Sequence, residues 1–235
     1  MKKVLLLAAC VFAITVTFSQ QNDWANFGKY EDANTTAPRG AVVFMGNSIT
    51  EGWVRTHPVF FTENNYIGRG ISGQTSSQML VRFRRDVIDL KPKAVVILSG
   101  TNDIALNNGV IKLNNVMGNI ISMVELAQAN NIKVILCSVL PAYGFSWRKE
   151  LTPANDVIAL NKMIKQYADA NKIPYVDYHT AMKDERNGLP LKYAADGIHP
   201  TPEGYDVMEK LIKAAIDKTI KSKSKVKDRQ YLFGK

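Results

Sequence analysis

Between residues 41 and 217, short apolar runs alternate with longer stretches in which apolar residues return every third or fourth position. Five runs have strand length: 41–45 (AVVFM), 65–68 (NYIG), 94–99 (AVVILS), 132–139 (IKVILCSV) and 175–178 (YVDY). The stretches between them read as helices with one apolar face. Met79, Leu80, Phe83, Val87 and Ile88 mark the face of 76–90. Val116, Ile120, Met123, Val124 and Leu126 mark that of 110–130, and Val157, Leu160, Met163, Ile164 and Tyr167 that of 154–170. Thr201 as N-cap and Pro202 at the first helical position announce a last helix through Val207, Met208, Leu211 and Ile212. Strands that are apolar on both faces, each followed by an amphipathic helix, predict a parallel sheet covered on both sides. The expected fold is therefore α/β: a three-layer α/β/α sandwich, doubly wound and flavodoxin-like, on five parallel strands. In such sheets ligands bind beyond the carboxyl ends of the strands.

The ends of the chain depart from this pattern. Residues 1–20 (MKKVLLLAACVFAITVTFSQ) have two lysines, an apolar run from Val4 to Phe18 broken by Thr15 and Thr17, and a polar exit. That is the layout of a secretory signal peptide, too short and wrongly flanked for a membrane span, with cleavage expected near Ser19 or Gln20. An alternative is a lipoprotein signal ending at Cys10 (LAAC), but the apolar run continues well past that cysteine. Either reading predicts an exported protein, periplasmic or secreted, with no integral membrane segment once the signal is removed. Residues 21–40, with Trp24, Phe27 and Tyr30 at roughly helical spacing, read as an arm packed across the flank of the sheet. Residues 41–217 form the expected domain, and 218–235 a basic tail.

Composition changes little in this picture. With 235 residues, 46% of them apolar and 22% charged, the chain can bury one sizeable core. The net charge of +9 is concentrated at the ends, in Lys2, Lys3 and a tail with seven positive residues against one negative. This is a solvated end, and no nucleic-acid motif accompanies it. With Cys10 gone, Cys137 is the lone thiol, expected in the core as a small hydrophobe. Nothing in the pattern specifies an oligomeric state.

Three polar turns follow directly on strands and should share one edge: 46–50 (GNSIT), 68–76 (GRGISGQTS) and 100–103 (GTND). A fourth element, 196–200 (DGIHP), lies between the last strand and the last helix. Singly these are ordinary features: a helix cap, a positive-φ glycine, an Asx turn and a histidine at a helix entry. Together they supply the hydroxyl, base, orienting carboxylate and donors that acyl transfer requires. Ser48 is the candidate nucleophile. Of the three histidines, His57 (RTHPVF) has no carboxylate beside it in the sequence. His179 could pair with Asp177 along an extended strand. His199 is better placed, with Asp196 one helix-like turn before it.

GNSIT, SGQTS, GTND and DGIHP, in this order, resemble the four sequence blocks of the SGNH hydrolases, also called GDSL esterases and lipases. The resemblance runs from about residue 41 to 215. It is nearest the branch of platelet-activating-factor acetylhydrolase catalytic subunits and bacterial exported esterases. It implies Ser48 as nucleophile, His199 as general base and then acid, and Asp196 as orienting carboxylate. It also implies an oxyanion hole made by the backbone N–H groups of Ser48 and Gly73 and the side-chain amide of Asn102. Asn47 stands where the family's name-giving block has aspartate, a position outside the triad. The implied activity is hydrolysis of short-chain O-esters, acetyl esters first among them, of carbohydrates or lysolipids, with no metal or organic cofactor.

Asn47, Trp53, Tyr143, Trp147 and Arg148 are candidate substrate contacts, the last three in a loop after the fourth strand that would overhang the site. No long apolar segment is present to cover a deep acyl channel, so long acyl chains are disfavoured. Two other functions fit the same architecture: a non-catalytic glycan or cell-wall binding protein, and a flavin binder. All the block residues are present against the first, and the 46–50 turn lacks a flavodoxin-type phosphate cradle against the second.

Overall fold

The computed structural model describes residues 23–221. The expected signal peptide, Cys10 and most of the basic tail lie outside the described residues. Five parallel strands form one sheet in the order β2-β1-β3-β4-β5: β1 (Val42–Gly46), β2 (Tyr66–Gly70), β3 (Ala94–Ile97), β4 (Lys133–Cys137) and β5 (Tyr175–Val176). β3, β4 and β5 are shorter than their apolar runs, because the chain leaves the ladder as it turns toward the site edge, whereas β1 keeps the length of its run and β2 extends two residues past it. The helices are α1 (Glu31–Thr35), α2 (Ser48–Thr56), α3 (Pro58–Glu63), α4 (Ser76–Asp86), α5 (Thr101–Ile104), α6 (Leu113–Ala129), α7 (Ala154–Asn171), α8 (Tyr178–Met182) and α9 (Pro202–Lys221). The three long helices and the last one lie where periodicity predicts them. The short ones, α2, α3, α5 and α8, carry too few turns to show a period.

Alternation along the strands sorts the core into two layers. Val43, Met45, Val95, Ile97, Val134 and Leu136 pack with α4, α6 and α7. Val42, Phe44, Val96, Ile135 and Cys137 pack on the other face with α2, α8 and α9. The fold is the expected three-layer sandwich. Cys137 is buried, which pushes its thiol up to about 12 and leaves it inert.

Two boundaries differ from the sequence reading. α9 continues to Lys221, into the stretch read as tail, with Lys133 Nζ donating to the Thr219 carbonyl at 2.9 Å. The arm holds a 3₁₀ turn (Phe27–Tyr30) followed by α1, and Trp24 is partly exposed rather than packed. The arm lies against the edge strand β2, where Arg69 sits over the Tyr30 ring and its Nε donates to Asn34 Oδ1 at 2.9 Å, and it is also tied to the segment that follows. The Ala25 carbonyl accepts from Gln74 Nε2 at 2.7 Å, the Trp24 carbonyl accepts from Gln78 Nε2 at 2.7 Å, and Tyr30 Oη donates to the Gly70 carbonyl.

Candidate active site

β1 ends at Gly46, and Asn47 at once caps α2 by accepting the Ile49 N–H at 3.0 Å. This puts Ser48 at the first helical position, where its backbone N–H has no acceptor inside the helix. The neighbouring strand end comes very close: a Cβ on Gly70 would lie 2.3 Å from Glu51 N and 2.6 Å from Asn47 O. Only glycine lets the two turns meet. Ile71 N–H then donates to Gly46 O at 3.2 Å, and the chain reverses through Gly73, whose φ of +77° disfavours any side chain. A Cβ there would meet no protein atom within 4 Å, so within the protein it is the backbone conformation that requires glycine.

The third turn is α5, which carries Asn102 at the end of β3. Asn102 Nδ2 donates to the Gln74 carbonyl at 3.0 Å, so its amide sits beside the Gly73 turn. Asp103, next in sequence, accepts from Ser76 N at 2.9 Å and Ser76 Oγ at 2.6 Å and locks α5 to the start of α4. Burial raises the Asp103 pKa, against the Ser76 hydrogen bonds that lower it.

The fourth block returns to the same edge. Ser48 Oγ lies 2.9 Å from His199 Nε2, and His199 Nδ1 lies 2.7 Å from Asp196 Oδ2. The carboxylate can only accept, so the ring proton sits on Nδ1 and Nε2 is left to accept from the hydroxyl. Asp196 Oδ1 also accepts from the backbone N–H groups of Ile198 (2.9 Å) and His199 (2.8 Å). Gly197 has a φ of +78°, so the link is an Asx turn through left-handed backbone and not the helix-like turn expected. Partial burial pushes the Asp196 pKa up, but the three hydrogen bonds and the His199 charge outweigh it, and the carboxyl titrates below its ordinary range.

Sequence reasoning missed the side chains that hold these turns together. Arg82 is fully buried on α4 and joins four partners: the Gly46 carbonyl (3.1 Å), the Arg69 carbonyl (2.8 Å), Asp86 (2.7 Å) and Gln74 Oε1. Glu51 accepts from Ser72 N at 2.7 Å and Ser72 Oγ at 2.6 Å, and pairs with Lys29 of the arm. Burial would raise the Glu51 pKa, but the Lys29 and Ser72 bonds hold it down.

The candidate substrate contacts separate. Asn47 is buried and spent on its cap, and Trp53 is buried among Phe44, Phe60 and Tyr205 with its indole N–H on Glu209 at 3.0 Å. Neither is available to substrate. Arg148 is half-buried, 4.0 Å from Glu150, and no hydrogen bond or ion pair ties its side chain to the site. Tyr143 is exposed beneath Arg186 and, with Leu191 and Asp196, lines an open depression of about 260 Å³. Trp147 is partly exposed and donates to Asn107 Oδ1 at 3.0 Å.

The other histidines are placed differently from expectation. His57 does have a carboxylate, Glu209 of α9, at 2.7 Å from Nδ1. With Asp206 this is a cluster of potential metal ligands among the described residues, with Glu209 already held by Trp53. His179 makes no pair with Asp177, which caps α8 by accepting the Thr180 N–H at 2.9 Å. β5 ends at Val176, so the two residues are not on one strand face.

Comparison with known proteins finds relatives for the fold as a whole. A Bacteroides fragilis crystal structure, provisionally an acylhydrolase, is 54% identical, with a TM-score of 0.84 over 85% of this chain and 100% of that one. A GDSL-like lipase from Bacteroides thetaiotaomicron is 55% identical, with a TM-score of 0.82 over 83% of this chain and 99% of that one. An uncharacterized lipoprotein of Bacillus subtilis, YqeF, is 36% identical over 78 residues, only 32% of this chain and 32% of that protein. The model of the GDSL-like lipase/acylhydrolase family matches residues 44–207, from the strand before Ser48 to the helix after His199. The chain belongs to the GDSL-like lipase/acylhydrolase family of carboxylic ester hydrolases.

Proposed function

We propose that the protein is an exported serine esterase acting on short-chain O-esters, acetyl esters first among them, through an acyl-enzyme on Ser48. The observation that carries this reading is the unbroken chain from Ser48 Oγ to His199 (2.9 Å) to Asp196 (2.7 Å). Ser48 attacks the ester carbonyl as His199 Nε2 takes its proton. The carbonyl oxygen becomes an oxyanion, met by the N–H groups of Ser48 and Gly73 and by the Asn102 amide, each donor contributing about 3 kcal/mol when well aimed. His199 returns the proton to the leaving alcohol, the tetrahedral adduct collapses to the acyl-enzyme, and a water activated by the same nitrogen repeats the sequence to release the acid.

The leaving alcohol approaches from the His199 side, and the open depression lined by Tyr143, Leu191 and Asp196, the partner of His199, supports a site for it there. At about 260 Å³ this hollow suits one sugar ring or a glycerol-sized group better than a long chain. Carbohydrate or lysolipid esters are therefore the proposed substrates. Export rests on the leader pattern of residues 1–20 and on the lipoprotein match. Among the described residues no helix is long and apolar enough to cross a membrane.

One experiment tests the reading: p-nitrophenyl ester hydrolysis, acetate to decanoate, by cell fractions expressing the full chain. Activity should lie outside the cytoplasm, fall with acyl length, and drop about 10⁴-fold or more in Ser48→Ala and His199→Ala. Activity that survives both substitutions, or that rises above about eight carbons, would refute it.

A further inference from the structure

Asn102 is useful as an oxyanion donor only if its amide is turned the right way round. An asparagine side chain is nearly symmetric in shape, so packing alone cannot choose between presenting NH₂ or oxygen. The choice must come from hydrogen bonds, and here both ends of the chain of bonds are chemically unambiguous. At one end Trp147 Nε1, which can only donate, meets Asn107 Oδ1 at 3.0 Å. This forces the Asn107 NH₂ toward Asn102, whose Oδ1 accepts it at 2.9 Å. At the other end Asn102 Nδ2 donates to the Gln74 carbonyl, which can only accept, at 3.0 Å. Reversing either amide would set acceptor against acceptor and donor against donor.

The backbone makes the same pairing. Leu106 takes a left-handed φ of +55°, Leu106 N–H donates to Asp103 O at 3.0 Å, and Asn107 N–H donates to Asn102 O at 3.0 Å. This is a Schellman ending of α5 in which Asn102 and Asn107 are the two residues joined by the longer bond. Asn107 is thus folded back on Asn102 by main chain and side chain at once. One N–H of Asn102 Nδ2 goes to Gln74, and the second remains for substrate.

From this geometry we infer that Asn107 is a positioning residue that sets the polarity of the Asn102 amide, with the Trp147 indole N–H as the group that fixes Asn107. The inference rests on the proposed role of Asn102 in the oxyanion hole. Asn107→Asp keeps the shape and removes the donor. The carboxylate draws the Asn102 NH₂ toward itself and turns Oδ1 toward the Gln74 carbonyl. Trp147→Phe keeps an aromatic ring and removes only the N–H.

The test is kcat and KM for p-nitrophenyl acetate in the wild-type and Asn102→Ala backgrounds, with thermal unfolding as a control on folding. Asn102→Ala should lower kcat about 10² to 10³-fold. Asn107→Asp should lower kcat about 10 to 100-fold with KM within about twofold, and Trp147→Phe about three to tenfold. Neither should lower kcat further once Asn102 is alanine, because nothing remains to be oriented. A merely structural role would reduce activity equally in both backgrounds, and that result overturns the inference. So does wild-type kcat in both Asn107→Asp and Trp147→Phe. If Asn102→Ala itself retains full activity, the oxyanion assignment fails and the relay fails with it, whereas a large Asn102→Ala effect with silent Asn107 and Trp147 variants sinks the relay alone.

Discussion

On one side of Ser48 the framing side chains are buried and bonded to distant parts of the chain. Arg82 reaches Gly46, Gln74 reaches the arm at Ala25, and Asn102 reaches Gln74. On the other side, His199 and Asp196 have side chains 43% and 46% exposed and are held chiefly by bonds within three residues of one another. Their segment, 183–201, contains only turns and bends. The contrast matches the two tasks. Donors that meet a developing oxyanion act best when fixed beforehand, because any reorientation during reaction costs barrier height. A proton carrier must serve first the serine and then the leaving group, and a short local mount lets the imidazole adjust between them.

The largest effect should come from the exposed wall and touch activity alone. Asp196→Asn keeps Oδ1 for the Ile198 and His199 N–H groups but presents an amide donor to His199 Nδ1, favouring the wrong tautomer. A loss in kcat of about 10³ to 10⁴-fold is expected, with the unfolding midpoint moved by no more than about 2 °C. Steady-state kinetics and a thermal melt check it together. A variant that loses stability but keeps its rate would invert the comparison.

The buried wall should behave in the opposite manner. Arg82→Met leaves Asp86 without its buried cation and strips donors from the Gly46 and Arg69 carbonyls and from Gln74. The expected cost is about 3–5 kcal/mol in denaturant unfolding, since removing one partner of a buried pair strands the other. A cost below about 1 kcal/mol would mean that the turns hold themselves and that Arg82 is a passenger.

The same contrast explains what could be read from the sequence. The strands showed because burial on both faces removes polar residues from a run, and Asp196 and His199 showed because their bond is local in the chain. The buried wall did not show. Arg82 acts on the Gly46 carbonyl, 36 positions away, and one of three arginines in an amphipathic helix looks like its solvated neighbours. Asn107 was hidden because Leu106, not glycine, takes the left-handed position that ends α5, so the usual signal for a Schellman turn is absent. Asn47 and Trp53 flank the nucleophile in sequence and were read as substrate contacts. Asn47 is instead turned inward onto Ile49, and Glu209 and Tyr205, more than 150 positions on, enclose Trp53.

The smallest effect lies at the root of the exposed wall and sharpens where its loosely tied segment begins. α8 leads directly into 183–201, and His179 within it is buried, its backbone N–H donating to Ser138 Oγ at 2.9 Å. Burial, reinforced by the Lys183 charge and opposed by Asp177, lowers the His179 pKa below its ordinary value of 6.5. The folded protein therefore favours the neutral ring. Above about pH 6.5 the ring is neutral in both states and the fold loses nothing. As pH falls below that value the unfolded chain takes up a proton that the fold resists, and stability declines until the folded value is passed. Asp196, depressed from 3.8, adds its own loss only at more acidic pH. Unfolding midpoints between about pH 7.5 and about pH 5 should thus fall more steeply for the wild type than for His179→Gln, which has no ring to protonate. Equal slopes would show that His179 tolerates its charge, and that the solvent access of the exposed wall extends below 183 into α8 itself.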